Sequence, residues 1–381
     1  MNELHCPHRP PCPGCPELGR VLAEGAAFAS LRRFAEEHGL ALEQGQAPEE
    51  LGYRLRARLA VRGRAGSPKL GIFREGSHRV VDIPRCLVHH PSINTAAAAL
   101  RQAMRELRVA PYADVPHRGL VRYAQMAVER ASQRVQVVLV QNSVARAALE
   151  PLCARLAELL GPRLHSLFIS PNTARGNAIL GPRCEHVLGP PALREQLAGA
   201  SVFFPPDAFG QANLDLYEHI VQRIGTLVPE HARILELYAG TGAIGLSLLS
   251  RAAHVTFNEL GAGSLAGLRM GLEAVPPALA ARADVLPGPA AAAAERVGHA
   301  DVVIADPPRK GLDPVLLAAL AATPPRRFIY LSCGQDSFVS DARALLESGS
   351  LRLARLVAYD LFPFTGHVET LACFECTSDQ R

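Results

Sequence analysis

The sequence predicts an α/β fold with a doubly wound, mostly parallel sheet in its C-terminal part and a mixed, β-rich region before it. Two observations support this. Beyond SVFFPPDAFGQANLDL, strand-like and helix-like stretches alternate, and a glycine-rich turn joins a buried strand to an apolar helix. Before that segment, short alternating strands are mixed with helices. We therefore place a Cys-rich segment at residues 1–20, a central α+β domain at 21–200 and a parallel-sheet domain at 201–381.

The composition is that of a folded protein without secretion or membrane signals. Of the 381 residues 48% are hydrophobic, which is enough to form cores in two or three domains. The N-terminus MNELHCPHRPPCPGC has no apolar segment of signal-peptide length, and no later run is long and uncharged enough to span a membrane. We expect a cytoplasmic protein, in which the nine cysteines are thiols or ligands rather than disulfides.

Charge is distributed unevenly along the chain. Residues 1–200 carry 26 Lys and Arg against 17 Asp and Glu, whereas residues 201–381 carry 14 against 19. The excess of cations in the first part indicates a polyanionic partner. In YRLRARLAVR, Arg54, Arg56 and Arg58 alternate with apolar residues, so a strand presents them on one face. That face is either a polyanion-binding stripe or the solvated outer face of a sheet.

Periodicity predicts the remaining elements of the first part. An amphipathic helix spans residues 19–39, and a second helix spans 93–108. Two strands follow at 120–129 and 134–142. In the second part, the Ala-rich segment GPAAAAAERVG is predicted to be a surface helix.

The turn in RILELYAGTGAIG predicts a nucleoside site. Gly240 and Gly242 allow the backbone to pass close to a ligand, and alone they would also fit a dinucleotide. Glu236 on the preceding strand disfavours a pyrophosphate and suits a cationic amino acid group. Glu259, at the end of the next strand, is placed to accept hydrogen bonds from ribose hydroxyls. S-adenosylmethionine satisfies both carboxylates.

Three further residues are predicted at the same sheet edge. Asp306 ends the strand of DVVIADPP, and Cys333 ends the strand of RFIYLSCG. Ligands of open parallel sheets collect at the carboxyl ends of the strands. The last two strands read as a parallel strand followed by an antiparallel return, so Glu369, near the start of the return, belongs at this edge too.

A thiol beside a methyl donor points to methylation of an unreactive vinylic carbon. Uracil C5 becomes nucleophilic only when a nucleophile adds to C6, and a thiolate is suited to that addition and to its later expulsion. A base must then remove the C5 proton. Glu369 is the candidate, since burial can raise the pKa of a carboxylate.

Three N-terminal cysteines have the spacing C-x5-C-x2-C, and a fourth lies far along the chain in VVDIPRC. Four thiolates suit either a tetrahedral zinc or an iron–sulfur cluster, and spacing alone does not decide between them. His8, His89 and His90 offer further zinc ligands. The four candidate metal-ligating cysteines are Cys6, Cys12, Cys15 and Cys86.

Over nearly its whole length the chain resembles the RNA uracil-5 methyltransferase family. The segments CPHRPPCPGC, GYRLRARLAV, HRVVDIPRC, AFGQANLDL, LELYAGTGAIGL, DPPRKGLD, YLSCG and FPFTGHVET occur in the family's order. The resemblance implies a C-terminal Rossmann-like methyltransferase domain, with Cys333 as nucleophile and Glu369 as general base. It also implies a four-iron, four-sulfur cluster on the four cysteines. The contacts that it implies to S-adenosylmethionine or its surroundings are Gln211, Tyr238, Glu259 and Asp306.

Some segments depart from the family pattern. The family usually has Asn-Pro after the catalytic Ser-Cys, where this chain has Gly334 and Gln335. The segment LGAGSLAGLRMGLEAV lacks the usual asparagines, and no separate RNA-binding barrel precedes Cys6. We therefore expect the central domain to bind the RNA.

The sequence thus predicts an S-adenosylmethionine-dependent enzyme that methylates C5 of a uridine in structured RNA. The cluster pattern favours 23S ribosomal RNA, and a transfer RNA is the alternative substrate. Because the uridine must leave its stack to reach a thiol, base flipping or a loop substrate is implied. An RNA-binding or folding factor that has lost efficient transfer is the second alternative, and we expect a monomer.

Overall fold

The architecture is that of a computed structural model, which describes residues 4–20, 25–46 and 48–377. Its helices are α1 (Ala26–Glu37), α2 (Pro91–Glu106), α3 (Glu150–Leu160), α4 (Leu214–Leu227), α5 (Ala243–Leu248), α6 (Ala262–Glu273), α7 (Pro277–Ala280), α8 (Pro314–Ala322) and α9 (Gln335–Glu347). Its strands are β1 (Glu43–Gly45), β2 (Arg56–Arg64), β3 (Ser67–Phe73), β4 (Val80–Asp82), β5 (Val121–Val128), β6 (Val135–Gln141), β7 (Leu164–Pro171), β8 (Glu185–Leu188), β9 (Leu193–Leu197), β10 (Ala200–Phe204), β11 (Arg233–Leu237), β12 (His254–Glu259), β13 (Ala283–Pro287), β14 (Val302–Ala305), β15 (Arg327–Ser332), β16 (Leu351–Tyr359) and β17 (Glu369–Cys376).

The predicted elements at 93–108, 120–129 and 134–142 correspond to α2, β5 and β6. The helix predicted at 19–39 corresponds to α1, and residues 21–24 of that prediction lie outside the described residues. No helix in the described part of the chain is long and apolar enough to cross a membrane.

The chain folds into two compact units, each of which is formed by segments that are not consecutive in the sequence. The first unit contains the described residues of Met1–Pro16, Glu49–Glu195 and Phe204–Leu214, and the second those of Glu17–Pro48, Gln196–Phe203 and Asp215–Arg381. The domain boundaries at residues 20 and 200 stay predictions.

The first unit is built on an open sheet of seven strands in the order β4-β3-β2-β5-β6-β7-β8. Neighbouring strands are antiparallel except β6 and β7, which are parallel and connected through α3. Every residue of β6 and β7 is buried, because both strands are rich in apolar residues and lie in the interior of the sheet. The strand directions bring four strand ends to one edge of this sheet: the end of β2, the start of β5 and the ends of β6 and β7.

The second unit has an eight-stranded sheet in the order β1-β16-β17-β15-β14-β11-β12-β13. Strands β11 to β15 are mutually parallel, and β17 is inserted antiparallel between β15 and β16. The core contains strand residues such as Leu235, Val303 and Phe328, with Leu316 from α8 and Phe338 from α9 packed in the same cluster. The predicted α/β class, mostly parallel with an antiparallel last strand, is confirmed.

The Ala-rich segment differs from its prediction. It forms a 3-10 helix at Ala290–His299 rather than a surface α-helix, and Ala290, Ala293 and Val297 are buried in the core. The small alanine side chains allow the turns to pack closely, which composition alone does not reveal.

Candidate active site

Four polar side chains lie at the carboxyl ends of adjacent strands in the second unit. Strands β15, β14, β11 and β12 are neighbours in that order and run parallel. Cys333 follows β15, Asp306 follows β14, Glu236 lies one residue before the end of β11, and Glu259 ends β12. Because adjacent strands are about 4.8 Å apart, these residues share one edge. The sequence analysis places them at this edge, and their roles stay predictions.

Glu369 reaches the same edge from the antiparallel strand β17. Ser332, the last residue of β15, pairs with Thr370 of β17. Because the two strands are antiparallel, Cys333 and Glu369 are the next two residues to face each other. Glu369 is 1% exposed, and its Oε1 atom has no hydrogen-bond partner among the described residues. Burial, and then the Asp306 carboxylate, raise its pKa well above the ordinary value. A buried, unpartnered carboxylate beside a thiol can take up a proton.

Cys333 is half-buried and lines an open pocket of about 310 Å³. Burial raises the pKa of its thiol, and the carboxylates of Glu369 and Asp306 raise it further, whereas Arg309 lowers it. Arg309 is thus the nearby cation that partly offsets the effects that disfavour the thiolate. The other lining residues of the pocket are Arg309, Gly334, Gln335, Asp336, Ser337, Gly366, His367 and Val368.

Two lining residues, Arg309 and His367, were not singled out from the sequence. Arg309 Nη2 lies 3.4 Å from His367 Nε2. Burial, and then the guanidinium, lower the pKa of His367, so that the imidazole stays neutral. Both residues lie in segments that carry the family resemblance, DPPRKGLD and FPFTGHVET, and that was the signal available for them. A guanidinium in this pocket suits an anionic substrate.

The loop between β14 and α8 is held against α9 by two side chains one helical turn apart. The Ser337 hydroxyl donates to the carbonyl oxygen of Arg309 over 2.8 Å. Asp341 Oδ2 accepts a hydrogen bond from the backbone N–H of Leu312 and another from the hydroxyl of Tyr330, both over 2.8 Å. The loop that carries Arg309 is thus fixed relative to the turn that carries the thiol.

The turn after Cys333 accommodates Gly334 and Gln335, the two residues that depart from Asn-Pro. A Cβ atom at Gly334 would lie 2.4 Å from the carbonyl oxygen of Arg309 and 2.6 Å from Ser337 Oγ, so only glycine fits. The next residue, Gln335, begins α9 and donates from Nε2 to the carbonyl oxygen of Ala27 over 2.9 Å. Gly334 therefore allows a close approach of the Arg309 loop, and Gln335 links the start of α9 to α1.

Two carboxylates hold the glycine turn that follows β11. Gly240 and Gly242 have positive φ angles of 59° and 80°, which glycine adopts without strain. Glu259 Oε2 accepts a hydrogen bond from the N–H of Gly240 over 2.8 Å, and Glu236 Oε2 accepts one from Gly245 over 2.8 Å. Burial raises the pKa of Glu236 to about 8. Glu236 is bonded to the turn through Oε2, and its predicted role toward a cationic ligand group stays a prediction.

Asp306 is half-buried and lies close to buried polar groups. Burial raises its pKa to about 7. Tyr217, a buried residue of α4 that was not singled out from the sequence, has its pKa raised by burial and then by Asp306, Glu236 and Glu369. Tyr238 has a positive φ of 57°, and its hydroxyl accepts a hydrogen bond over 3.2 Å from the backbone N–H that precedes α8.

Comparison with known proteins agrees with this geometry. Residues 298–375 match the model of the tRNA (uracil-5-)-methyltransferase family. An uncharacterized RNA methyltransferase of Protochlamydia amoebophila is 35% identical over 381 residues, which cover 98% of each chain. The chain belongs to the RNA uracil-5 methyltransferase family. It is therefore an S-adenosylmethionine-dependent RNA methyltransferase.

Two further relatives of this methyltransferase are informative. An uncharacterized RNA methyltransferase of Geobacter sulfurreducens is 30% identical over 336 residues, covering 85% of this chain and 66% of that protein. The crystal structure of the Pyrococcus abyssi tRNA (uracil-54, C5)-methyltransferase in complex with S-adenosyl-L-homocysteine superposes with a TM-score of 0.79. That match has 25% sequence identity and covers 97% of this chain and 86% of the other.

The predicted contact Gln211 lies in the first unit of the methyltransferase, whereas the other predicted S-adenosylmethionine contacts lie in the second. Gln211 is buried. Its neighbour Gly210 packs on Arg56, where a Cβ atom would lie 2.6 Å from the guanidinium carbon. The shared placement of Gln211 with the other contacts stays a prediction.

The arginine stripe on β2 is less uniform than its alternation indicates. Arg58 is exposed, and its Nε donates to Gln125 over 2.8 Å. The Arg56 guanidinium lies 4.4 Å from the ring centre of Phe204, and its buried Nη2 has no hydrogen-bond partner among the described residues. Burial lowers its pKa to about 10. Arg56 is therefore only partly solvated, because Phe204 and the segment after β10 lie against its guanidinium.

The four N-terminal and central cysteines lie within electrostatic reach of one another in the first unit. The pKa of Cys15 is raised to about 11. Burial is the main cause, and the nearby thiols of Cys86, Cys12 and Cys6 raise it further. Burial also raises the pKa values of Cys12 and Cys86. Within residues 4–20, 25–46 and 48–377, however, no three His, Cys, Asp or Glu side chains form a group that could hold a metal ion. The ligand set for a cluster is therefore not shown.

Proposed function

We propose that this methyltransferase transfers a methyl group to C5 of a uridine in RNA through a covalent adduct between Cys333 and uracil C6. The observation that carries the proposal is the strand pairing of β15 with β17. It places the Cys333 thiol beside the Glu369 carboxylate, which is buried and has a free Oε1 among the described residues. A nucleophile and a base are thus available to one bound base.

The residues divide the reaction between them. The Cys333 thiolate forms a bond to C6, which moves the electron pair of the C5–C6 double bond towards C5. C5 takes the methyl group of S-adenosylmethionine, whose methyl–sulfur bond breaks so that S-adenosylhomocysteine leaves. Glu369 then takes the C5 proton, the double bond forms again, and the C6–sulfur bond breaks to return the thiolate. Arg309 opposes the effects of burial on both groups, because it favours their ionised forms.

The glycine turn fits the nucleoside of S-adenosylmethionine. A Cβ atom at Gly240 would meet open space, so the turn leaves room beside its backbone. Glu259, held by the N–H of Gly240, ends the adjacent strand β12. We assign the turn residues Gly240 and Gly242, together with Glu259, Asp306, Tyr238 and Gln211, to cofactor binding.

Variants at the two reacting positions test this mechanism. In Glu369→Gln, addition and methyl transfer proceed but elimination is blocked, so denaturing gels with labelled RNA show protein joined to methylated RNA. Cys333→Ala forms no adduct, and the double variant behaves like Cys333→Ala because the base acts only on what the thiol has formed. Cys184→Ala is the matched control, since Cys184 is also half-buried but lies in the other unit. Turnover by Cys333→Ala would contradict the mechanism.

We also propose that Cys6, Cys12, Cys15 and Cys86 bind a four-iron, four-sulfur cluster that holds the N-terminal segment. The family resemblance and the mutual effects of the four thiols support it. Protein purified without air should contain about four iron and four sulfide per chain. Cys86→Ser should lose the iron, whereas Cys153→Ser should keep it. Stoichiometric zinc in a colourless protein would contradict the cluster.

For the substrate, two RNAs have separate support. The cysteine pattern favours 23S ribosomal RNA, and the structural similarity to a tRNA (uracil-54, C5)-methyltransferase favours transfer RNA. Mass mapping of methylated uridines in RNA from a deletion strain decides between them. Methylation that is unchanged in that strain, with RNA binding retained, would favour the folding-factor alternative. We further propose a cytoplasmic monomer, which size-exclusion chromatography with light scattering would test.

A further inference from the structure

Four exposed arginines lie at one edge of the first-unit sheet, away from the stripe at the start of β2. Arg64 ends β2, Arg118 lies in the loop before β5, Arg146 follows β6 and Arg175 follows β7. The antiparallel pairing of β2 with β5 and of β5 with β6, and the parallel pairing of β6 with β7, bring these four positions to the same edge. We call the set the basic edge.

The charge of the basic edge is largely uncompensated. Within the described residues, Arg64, Arg118 and Arg175 have no ion-pair partner, and only Arg146 is near a carboxylate, 4.0 Å from Glu150. The neighbouring acid, Asp114, is occupied by the buried Arg62, which it binds through both carboxylate oxygens over 2.9 and 3.1 Å. Net positive charge therefore remains on four neighbouring loops.

Two of the most exposed large apolar side chains of the described residues lie on the same loops. Val115 is 91% exposed and Val144 is 74% exposed. Their loops are adjacent, because Asn142 donates from Nδ2 to the carbonyl oxygen of His117 over 3.4 Å. The edge therefore combines cations with small apolar tips.

The loop that carries Val115 is held in place by its neighbours. His117 Nδ1 accepts from the hydroxyl of Tyr112 over 2.6 Å, and its Nε2 donates to the carbonyl oxygen of Thr173 over 3.1 Å. Two backbone hydrogen bonds join Ala113 and Arg118. A loop fixed in this way presents its tip with little loss of conformational freedom on binding.

We propose that the basic edge is a docking surface for the phosphate backbone of structured RNA, separate from the arginine stripe on β2. The inference rests on the proposed function, since it assumes an RNA substrate. From β2 to β7 the edge spans three strand spacings, about 14 Å, which brings its arginines within reach of several phosphates. The two valines pack against sugars or an exposed base. Exposed arginines supply affinity that depends on salt rather than on sequence.

A charge-matched pair of variants tests the proposal. Arg64, Arg118 and Arg175 are changed together to Ala, and Arg74, Arg79 and Arg163, exposed at the opposite edge of the same sheet, are changed together as the control. The basic-edge variant should lower the slope of log affinity against log salt by about 2 to 3 and weaken binding by roughly tenfold or more. The control should keep a slope closer to that of the wild type, and kcat at saturating RNA should be unchanged in both.

A second variant isolates the apolar tips. Val115→Thr with Val144→Thr keeps charge and shape, so it should weaken RNA binding severalfold without changing the salt slope. Equal slopes for the basic-edge variant and the wild type, in an enzyme that still methylates RNA, would overturn the docking surface and leave the proposed function intact. Equal losses in both triple variants would also overturn it, because total charge would then explain the effect. A wild-type chain without RNA methylation would instead contradict the proposed function.

Discussion

The two sheets use their polar groups in opposite ways. At the strand ends of the second unit, Glu369 and Glu236 are buried and Asp306 is half-buried, and burial raises the pKa of each. At the basic edge of the first unit, the charged groups are arginines exposed to water. Proton transfer needs groups whose affinity for a proton has been changed by burial, whereas recognition of a polyanion needs charges that stay hydrated until it binds. In the proposed assignments, the chemistry and the recognition are therefore separated by burial as well as by sequence.

Three arginines of the first unit mark the limit of this comparison. Arg62 and Arg122 are buried, and the half-buried Arg56 has an Nη2 atom without a hydrogen-bond partner among the described residues. Its guanidinium is stabilised by the ring of Phe204 and by the more distant charge of Glu195. Burial alone therefore does not assign a charged residue to catalysis.

The largest expected effect concerns the buried carboxylate of Glu236. Its pKa rises from 4.5 to about 8, so the folded state favours the protonated form, and that stabilisation is lost as pH rises from about 5 through 8. Glu236→Gln, which keeps a carbonyl oxygen for the N–H of Gly245, should remove this loss. At pH 8 it should be more stable than the wild type by up to about 4 kcal/mol. Unfolding by urea between pH 5 and 9 measures the effect.

The control for this prediction is Glu347→Gln, at an exposed position at the end of α9. It leaves the Glu236 carboxyl in place, so the loss of stability from pH 5 to 8 should persist. Part of the dependence should persist in Glu236→Gln, because burial also raises the pKa of Asp306. A wild-type stability that increases steadily from pH 5 to 8 would show that these carboxylates are ionised without penalty.

A smaller effect is expected from the stripe on β2. Changing Arg54 and Arg58 together to Gln should weaken RNA binding by roughly tenfold and lower the salt slope by about 2. Binding of S-adenosylmethionine should not change. Equilibrium binding at several salt concentrations measures both the RNA affinity and its salt dependence. An unchanged slope would mean that Arg54 and Arg58, unlike the basic edge, make no contact with the phosphates.

The smallest expected effect tests the attachment of the Arg309 loop. Ser337→Ala removes the hydrogen bond to the Arg309 carbonyl, which should lower kcat by about fivefold, given about 1 kcal/mol for such a bond. Ser337→Thr keeps the hydroxyl and should restore kcat, and Ser340→Ala, exposed on the same helix, should have no effect. A fall in stability without a change in kcat would assign Ser337 a structural role only.

The sequence predicted the parts of the site that follow from strand order. Cys333 and Glu369 share an edge because a returning antiparallel strand begins where a parallel strand ends, and the register of β15 with β17 agrees. The α/β class and the family were likewise accessible, since periodicity and motif order are properties of the chain itself.

Contacts that depend on folding through space were not accessible. Nothing local to Ser337 indicates that it reaches the carbonyl of Arg309, 28 residues away in sequence. The guanidinium of Arg56 is covered by a segment that begins near Phe204. Alternation along a strand predicts only the face of the sheet on which a side chain lies, not what packs against that face. Tyr217 approaches the carboxylates from a helix that no motif linked to them.

The lack of space at Gly334 constrains the order in which this chain can change. A family-typical asparagine cannot be restored there by a single substitution, because its Cβ would meet the Arg309 carbonyl at 2.4 Å. A larger residue at position 334 therefore requires that the loop after β14 moves away from the turn and that Ser337 gives up its place beside it. The width of one side chain thus couples the turn of the thiol to the loop of the guanidinium, so that neither segment can be remodelled alone.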